Sequence, residues 1–116
     1  MTQIVTYNGI VGYILETRRN ELGFDQATVA RAAGLSQPVL SRLEKGSASI
    51  TMDQLFLLAD ALKTTPSEII KVAETNAQVF NKDNSIDLMT TKQSNSNTNA
   101  LLTGAAIGAV LALLLK

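Results

Sequence analysis

The residues best placed for chemistry in this chain lie on one predicted helix, residues 37–45. Its outward face carries four hydrogen-bonding side chains: Gln37, Ser41, Arg42 and Lys45. Amide, hydroxyl and cationic groups on one face suit the recognition of a polar or anionic partner.

The composition excludes the common forms of catalysis and metal binding. The chain has no histidine and no cysteine. Nucleophile–histidine catalysis, disulfides and the usual zinc sites are therefore ruled out. The aspartates and glutamates are scattered along predicted helices, with no pair placed for acid–base work. We expect no enzyme activity, no cofactor and no metal site.

Two short helices joined by a tight turn must hold the polar face. The first spans about 26–33 and ends at Gly34, which supplies the positive φ that a sharp helix end needs. Ser36 then caps the second helix, Pro38 occupies its first turn, and Gly46 ends it. This is the layout of a helix-turn-helix, in which the second helix offers polar side chains to the major groove of DNA.

Three further helices are predicted around this motif and complete an all-α domain over residues 1–75. One spans about 9–22 and shows an apolar stripe at helical period. The other two begin after capping residues Thr51 and Thr65. Residues 1–6 are short and β-prone, and they read either as a disordered start or as an arm that pairs with a partner chain.

The spacing of particular residues within the motif carries a family resemblance. The relevant positions are Gln26, Ala30, Gly34 and the run SRLEKG at 41–46. Over residues 9–73 the chain resembles the phage repressor/Cro-type, XRE-like helix-turn-helix family. The resemblance implies a five-helix DNA-binding domain, and it does not extend to the rest of the chain.

The resemblance also implies roles for matched positions. The residues expected to face base edges are Gln37, Ser41 and Arg42. Those expected to contact DNA phosphates are Gln26, Ser36, Lys45 and Ser47. Arg19 and Glu44 match a pair that forms an internal ion pair behind the recognition helix. Pro38 departs from the family pattern, because it replaces a polar residue that can contact DNA.

Beyond the domain, composition divides the chain twice. Residues 76–99 are rich in Asn, Ser and Thr and are predicted to form a polar linker, although its first residues continue the helical pattern weakly. Residues 100–116 are predicted to form a hydrophobic helix. Small residues recur along one of its faces at every fourth position: Ala100, Gly104, Gly108 and Ala112.

The uncharged stretch 100–115 allows three interpretations. It can insert in the inner membrane as an anchor, with the DNA-binding domain in the cytoplasm. It can bring several copies together by helix packing, or it can pack on its own domain. Sixteen helical residues span about 24 Å against a hydrocarbon core of about 30 Å, so membrane insertion is marginal in length.

The charge balance bears on the expected function. Ten basic and ten acidic residues give a net charge of zero, so we expect a single copy to bind DNA weakly and a dimer or larger homo-oligomer to be needed. We interpret the chain as a sequence-specific regulator of transcription, a repressor that binds double-stranded DNA and is assembled or tethered by its tail. The alternatives are an antitoxin-like autoregulator with a partner protein, and a membrane-associated or self-assembling scaffold whose helical domain binds protein.

Overall fold

A computed structural model describes residues 3–94 and 100–115. The described chain contains seven helices: α1 Tyr7–Glu21, α2 Gln26–Ala32, α3 Gln37–Lys45, α4 Met52–Ala61, α5 Pro66–Asn81, α6 Thr91–Ser94 and α7 Gly104–Leu114. It also contains three short strands: β1 Gln3–Thr6, β2 Ile86–Met89 and β3 Ala100–Leu101. This mostly helical architecture confirms the predicted all-α fold class.

The first five helices surround one hydrophobic core. Helix α1 packs against both α3 and α5, and Ile10, Leu40 and Leu58 are almost fully buried between the helices. Helices α2 to α5 each begin after a residue whose side chain accepts a hydrogen bond from a first-turn amide, as the capping signals predicted. The start of α1 differs from the prediction. It lies two residues earlier, because the Thr6 hydroxyl accepts a hydrogen bond from the amide of Gly9 at 2.9 Å.

The N-terminal residues form the centre of a parallel sheet. The strand order is β2-β1-β3, with Gln3 opposite Ile86 in one ladder and opposite Ala100 in the other. Strand β1 therefore pairs within its own chain, and it is neither a disordered start nor an arm for a partner. The β-prone sequence of this segment suits a central strand, in which the Ile4 side chain is fully buried.

The region predicted as a polar linker, 76–99, is largely structured. Helix α5 continues to Asn81, and β2 and α6 follow it. The segment folds because Ile86 is buried and the strand gains hydrogen bonds from β1. The linker prediction is corrected for these residues, and residues 95–99 lie outside the described chain.

The tail is shorter as a helix than its sequence predicts. Ala100 lies in β3 rather than in the helix, because the amide of Leu102 donates to the carbonyl of Ile4 at 2.8 Å and holds this stretch extended. Helix α7 packs against α1 and α5, with Ile107 and Leu111 buried. Of the three interpretations, packing on the chain's own domain is the one that the structure shows.

Membrane insertion of the tail is not supported. Eleven helical residues rise about 16 Å, roughly half of a hydrocarbon core. Among residues 3–94 and 100–115, no helix has the length and apolarity that a bilayer crossing requires. The expected inner-membrane anchor at 100–115 is therefore withdrawn.

Candidate nucleic-acid interface

Local hydrogen bonds set the angle between α2 and α3. Asp25 caps α2 by accepting the amide of Thr28 at 2.7 Å. Gly34 then turns the chain with a φ of 72°, a conformation that residues with a Cβ rarely adopt. The hydroxyl of Ser36 accepts the amide of Val39 at 3.3 Å and opens α3. The sequence thus encodes both the turn and the start of the recognition helix.

The polar face of α3 is presented to solvent. Gln37, Arg42 and Lys45 are exposed, and Ser41 is half-buried beside them. Within the described chain, these four side chains make no hydrogen bond or ion pair. Their donors and acceptors are therefore available to a partner that lies along the helix.

The predicted phosphate-contacting residues lie at the two ends of this face. Ser36 is exposed at the start of α3, and Ser47 is exposed just after its end. The Ser47 hydroxyl donates to the carbonyl of Arg42 at 3.3 Å. Pro38 is exposed at the first turn, where it offers only an apolar surface.

A buried ion pair holds α3 against α1. The carboxylate of Glu44 is 1% exposed, and it accepts the Nε of Arg19 at 2.7 Å and its Nη2 at 3.0 Å. The Nη1 of the same guanidinium donates to the carbonyl of Phe24 at 2.9 Å. This bidentate geometry orients the inner side of α3 and turns its polar side outward.

Gln26 belongs to the same buried cluster. Its Nε2 donates to Glu44 at 2.8 Å, so the side chain is already engaged within the protein. The side-chain amide of Gln26, expected to contact a DNA phosphate, therefore also helps to position the ion pair. The backbone N–H of Gln26, in the first turn of α2, does not depend on that bond.

Hydrogen bonding and burial around this cluster shift the pKa values of Arg19 and Glu16. The hydrogen bonds that Arg19 donates to Glu44 raise the pKa of Arg19, which keeps the guanidinium charged. Burial raises the pKa of Glu16 above its usual range, and the neighbouring Glu44 carboxylate adds to that effect. Ionising Glu16 therefore costs more free energy in the folded protein than in the unfolded chain.

The end of α3 is enclosed by glycines from two other helices. A Cβ placed on Gly12 of α1 would overlap the carbonyl oxygen of Leu43, and one placed on Gly104 of α7 would overlap that of Glu44. Gly46, with a φ of 78°, passes directly over Gly9. These close approaches hold the C-terminal end of the recognition helix against α1 and α7. The periodic small residues of the tail predicted a packing face, but nothing local identified α1 and α3 as its partners.

The long-range contacts of Asn8 are a further feature that the sequence did not predict. Its Oδ1 accepts the amide of Ile50 at 3.1 Å, and its Nδ2 donates to Thr91 at 2.8 Å. One side chain thus connects the loop after α3 to helix α6. No sequence signal marks this role, because the partners lie far away along the chain.

The comparisons with known proteins cover the same region. The HTH_3 helix-turn-helix family model matches residues 15–69. The clp gene regulator ClgR of Corynebacterium glutamicum has a similar structure, with a TM-score of 0.57 and 23% identity over 60% of this chain and 90% of that one.

The restriction-modification controller protein C.AhdI of Aeromonas hydrophila is also similar. It has a TM-score of 0.52 and 27% identity, over 53% of this chain and 94% of that one. No curated protein matches the sequence. The family recognition made from the motif is confirmed over the matched residues.

Proposed function

Residues 15–69 belong to the helix-turn-helix family, and from this premise we propose that the protein is a sequence-specific DNA-binding regulator of transcription that acts as a repressor in the cytoplasm. The observation that carries the proposal is the exposed polar face of α3, held outward by the buried pair of Arg19 and Glu44. C.AhdI, described as a controller protein, supports a regulatory role.

Base recognition would come from the middle of the exposed face. Arg42 can donate two bonds to O6 and N7 of guanine, and Gln37 can pair with N6 and N7 of adenine. Each such pair discriminates against a wrong base by about 1–3 kcal/mol. Ser41 lies between them and can bond to either edge. Repression would follow from occupying a site that the transcription machinery needs.

Phosphate contacts would set the register of the domain on the duplex. Lys45 and Ser47 stand at the far end of α3, and Ser36 and the backbone amide of Gln26 stand at the near end. With a net charge of zero, one copy gains little from long-range attraction. Two copies on adjacent half-sites would compensate through effective concentration.

The surface proposed to join two copies is on α4. Met52 and Phe56, one helical turn apart, are 67% and 58% exposed, and Leu57 beside them is also exposed. Neighbouring large apolar side chains on a helix surface are typical of association sites. The tail is less suited to this task than its sequence predicts, because Gly104 and Gly108 already face the chain's own α3 and α1.

Selection from a random duplex library tests base recognition. The full-length protein should enrich one motif, and two inverted half-sites about one helical turn apart are expected for a dimer. Arg42→Ala should lose preference at one base position while keeping the rest. Lys71→Ala, an exposed cation on α5, is the matched control and should select the wild-type motif. A failure of the wild-type protein to enrich any motif would reject the proposal.

Sedimentation tests the dimer separately. Phe56→Asp should shift the protein from dimer to monomer, whereas Leu113→Asp, at an exposed leucine on α7, should leave the dimer intact. The reverse result would assign assembly to the tail.

A further inference from the structure

An open groove lies between α1, α5 and α7, on the part of the domain that the tail completes. Its volume is about 560 Å³, which is within the range of about 300–1,000 Å³ typical of small-molecule sites. The groove is separate from the exposed face of α3. A ligand bound in the groove would therefore not compete directly with DNA for the same residues.

The floor of the groove is apolar. Ile14, Ile69 and Leu111 line it and are buried, one from each of the three helices. At the mouth, Val72 is 38% exposed and Leu115 is 64% exposed. An apolar occupant would remove these two side chains from water, which is the main source of favourable free energy available here.

The space exists because α7 places small residues beside it. Gly108 and Ala112 line the groove from the tail. The two small positions therefore have a second effect beyond close packing. Larger side chains there would fill the volume that an occupant needs.

The polar groups of the groove indicate the charge of the occupant. Glu21 of α1 and Glu68 of α5 line it from different helices and are exposed. Within residues 3–94 and 100–115, neither carboxylate makes an ion pair or hydrogen bond. Arg18 also lines the groove, but its Nε and Nη2 donate to the carbonyls of Leu62 and Lys63 at 2.9 and 3.1 Å. Arg18 keeps its positive charge in these hydrogen bonds, so two carboxylates against one guanidinium leave the lining of the groove with a net charge of −1, which favours a cationic ligand.

We propose that this groove binds a small amphipathic cation, whose apolar body lies on Ile14, Ile69 and Leu111 and whose ammonium or amidinium group lies between Glu21 and Glu68. The ligand class is defined by shape and charge together: one compact apolar body and one positive group.

Three probes with one body and different charges test the proposal on the unmodified full-length protein. They are 1-naphthylmethylamine, 1-naphthylmethanol and 1-naphthaleneacetate, titrated while the methyl signals of Ile14, Ile69, Val72 and Leu111 are followed by NMR. The amine should bind in a saturable manner and about threefold or more tighter than the alcohol, since exposed ion pairs contribute modestly. The carboxylate should bind most weakly.

Matched variants then test which residues contact the positive group of the probe and which contact its apolar ring system. Glu21→Gln and Glu68→Gln should each weaken amine binding by about two- to fivefold and leave the alcohol unchanged. Glu74→Gln, an exposed carboxylate of α5 outside the groove, should change neither. Ala112→Phe should weaken all three probes by filling the groove, while Ala105→Phe on an exposed position of α7 should not.

Three results would overturn the proposal. They are the absence of saturable shifts at the groove methyls with any probe, equal or tighter binding of the carboxylate, and an effect of Glu74→Gln as large as that of the two groove variants. Because none of these readouts involves DNA, a failure here is distinguishable from a failure of the proposed DNA recognition.

Discussion

Gly104, the first residue of α7, lies against the main-chain carbonyl oxygen of Glu44 in the last turn of the recognition helix. A Cβ at position 104 would come well under 3.0 Å from that oxygen, a separation that real Cβ atoms do not show. The tail and the end of α3 are therefore in direct backbone contact. The hydrophobic tail is part of the framework that positions α3.

Gly104→Ala should destabilise the protein by about 1–3 kcal/mol, because the methyl group meets rigid backbone and α7 must move. The gain in helix propensity from replacing glycine works in the opposite direction and does not offset this overlap. Denaturant unfolding of the full-length protein measures the difference.

Gly108→Ala provides the matched comparison. The alanine Cβ at position 108 would lie nearest to the ring of Tyr13, with the closest ring atom at 2.5 Å. A side chain can rotate away from such a contact, whereas backbone cannot. Gly108→Ala should therefore cost clearly less than Gly104→Ala. Equal costs would show that the backbone contact at Glu44 is not what holds the tail.

Glu44→Ala should cost about 3–5 kcal/mol in the free energy of unfolding. The change leaves the Arg19 guanidinium, 12% exposed, without its carboxylate partner in a partly buried site. The double change Arg19→Met with Glu44→Leu should cost less than Glu44→Ala alone, because no charge remains to be solvated. If the double variant is the less stable one, the pair stabilises the fold through its charges rather than merely occupying the site.

Glu16→Gln should stabilise the protein near pH 7. Burial and Glu44 raise the pKa of Glu16 in the folded state. Above that raised pKa the carboxyl group is ionised in both the folded and the unfolded protein. The free-energy cost of this ionisation is higher in the folded protein, so it lowers the stability. As pH falls through the raised pKa toward the ordinary value, the folded protein takes up the proton first, so the advantage of the variant should disappear. Unfolding free energies of both proteins between pH 4 and 7.5 measure this.

Asp25→Ala should show the opposite trend and serves as the comparison. The bonds from Thr28 lower the pKa of the Asp25 carboxyl. Its contribution to stability is therefore present above the ordinary carboxyl pKa and lost as pH falls through the lowered folded value. A stability loss in Asp25→Ala that grows toward acid pH would contradict the capping role.

Ile4→Ala should destabilise the fold by about 2–5 kcal/mol, since Ile4 is fully buried in the central strand. Its carbonyl also accepts the amide of Leu102 at 2.8 Å. Hydrogen exchange at the Leu102 amide should accelerate more than at Leu40 if β1 holds the tail in place. Uniform acceleration would instead indicate global loss of stability alone.

Local signals predicted the helices well because their causes are local. The caps at Ser36 and Thr51 and the turn at Gly34 depend on residues a few positions apart. The exposed face of α3 followed from the same short-range pattern. The sheet was not predictable in this way, because β1 finds its partner some eighty residues later, and such pairing depends on register rather than on propensity.

The tail shows the same limit in another form. Its spacing of Gly104 and Gly108 predicted a close-packing face, but a spacing does not identify the partner. The partner is the chain's own α1 and α3, and only the assembled fold brings them together. The missed role of Asn8, which bonds to Ile50 and Thr91, has the same cause.

Recognition of DNA by the exposed side chains of α3 is tested most directly by equilibrium binding to the selected duplex over a range of salt concentrations. Arg42→Ala should lose about 1–3 kcal/mol of discrimination at one base pair. Lys45→Ala should weaken all duplexes alike and reduce the salt slope by about one, and Lys71→Ala should change neither quantity. Full discrimination retained by Arg42→Ala together with Gln37→Ala would contradict the account.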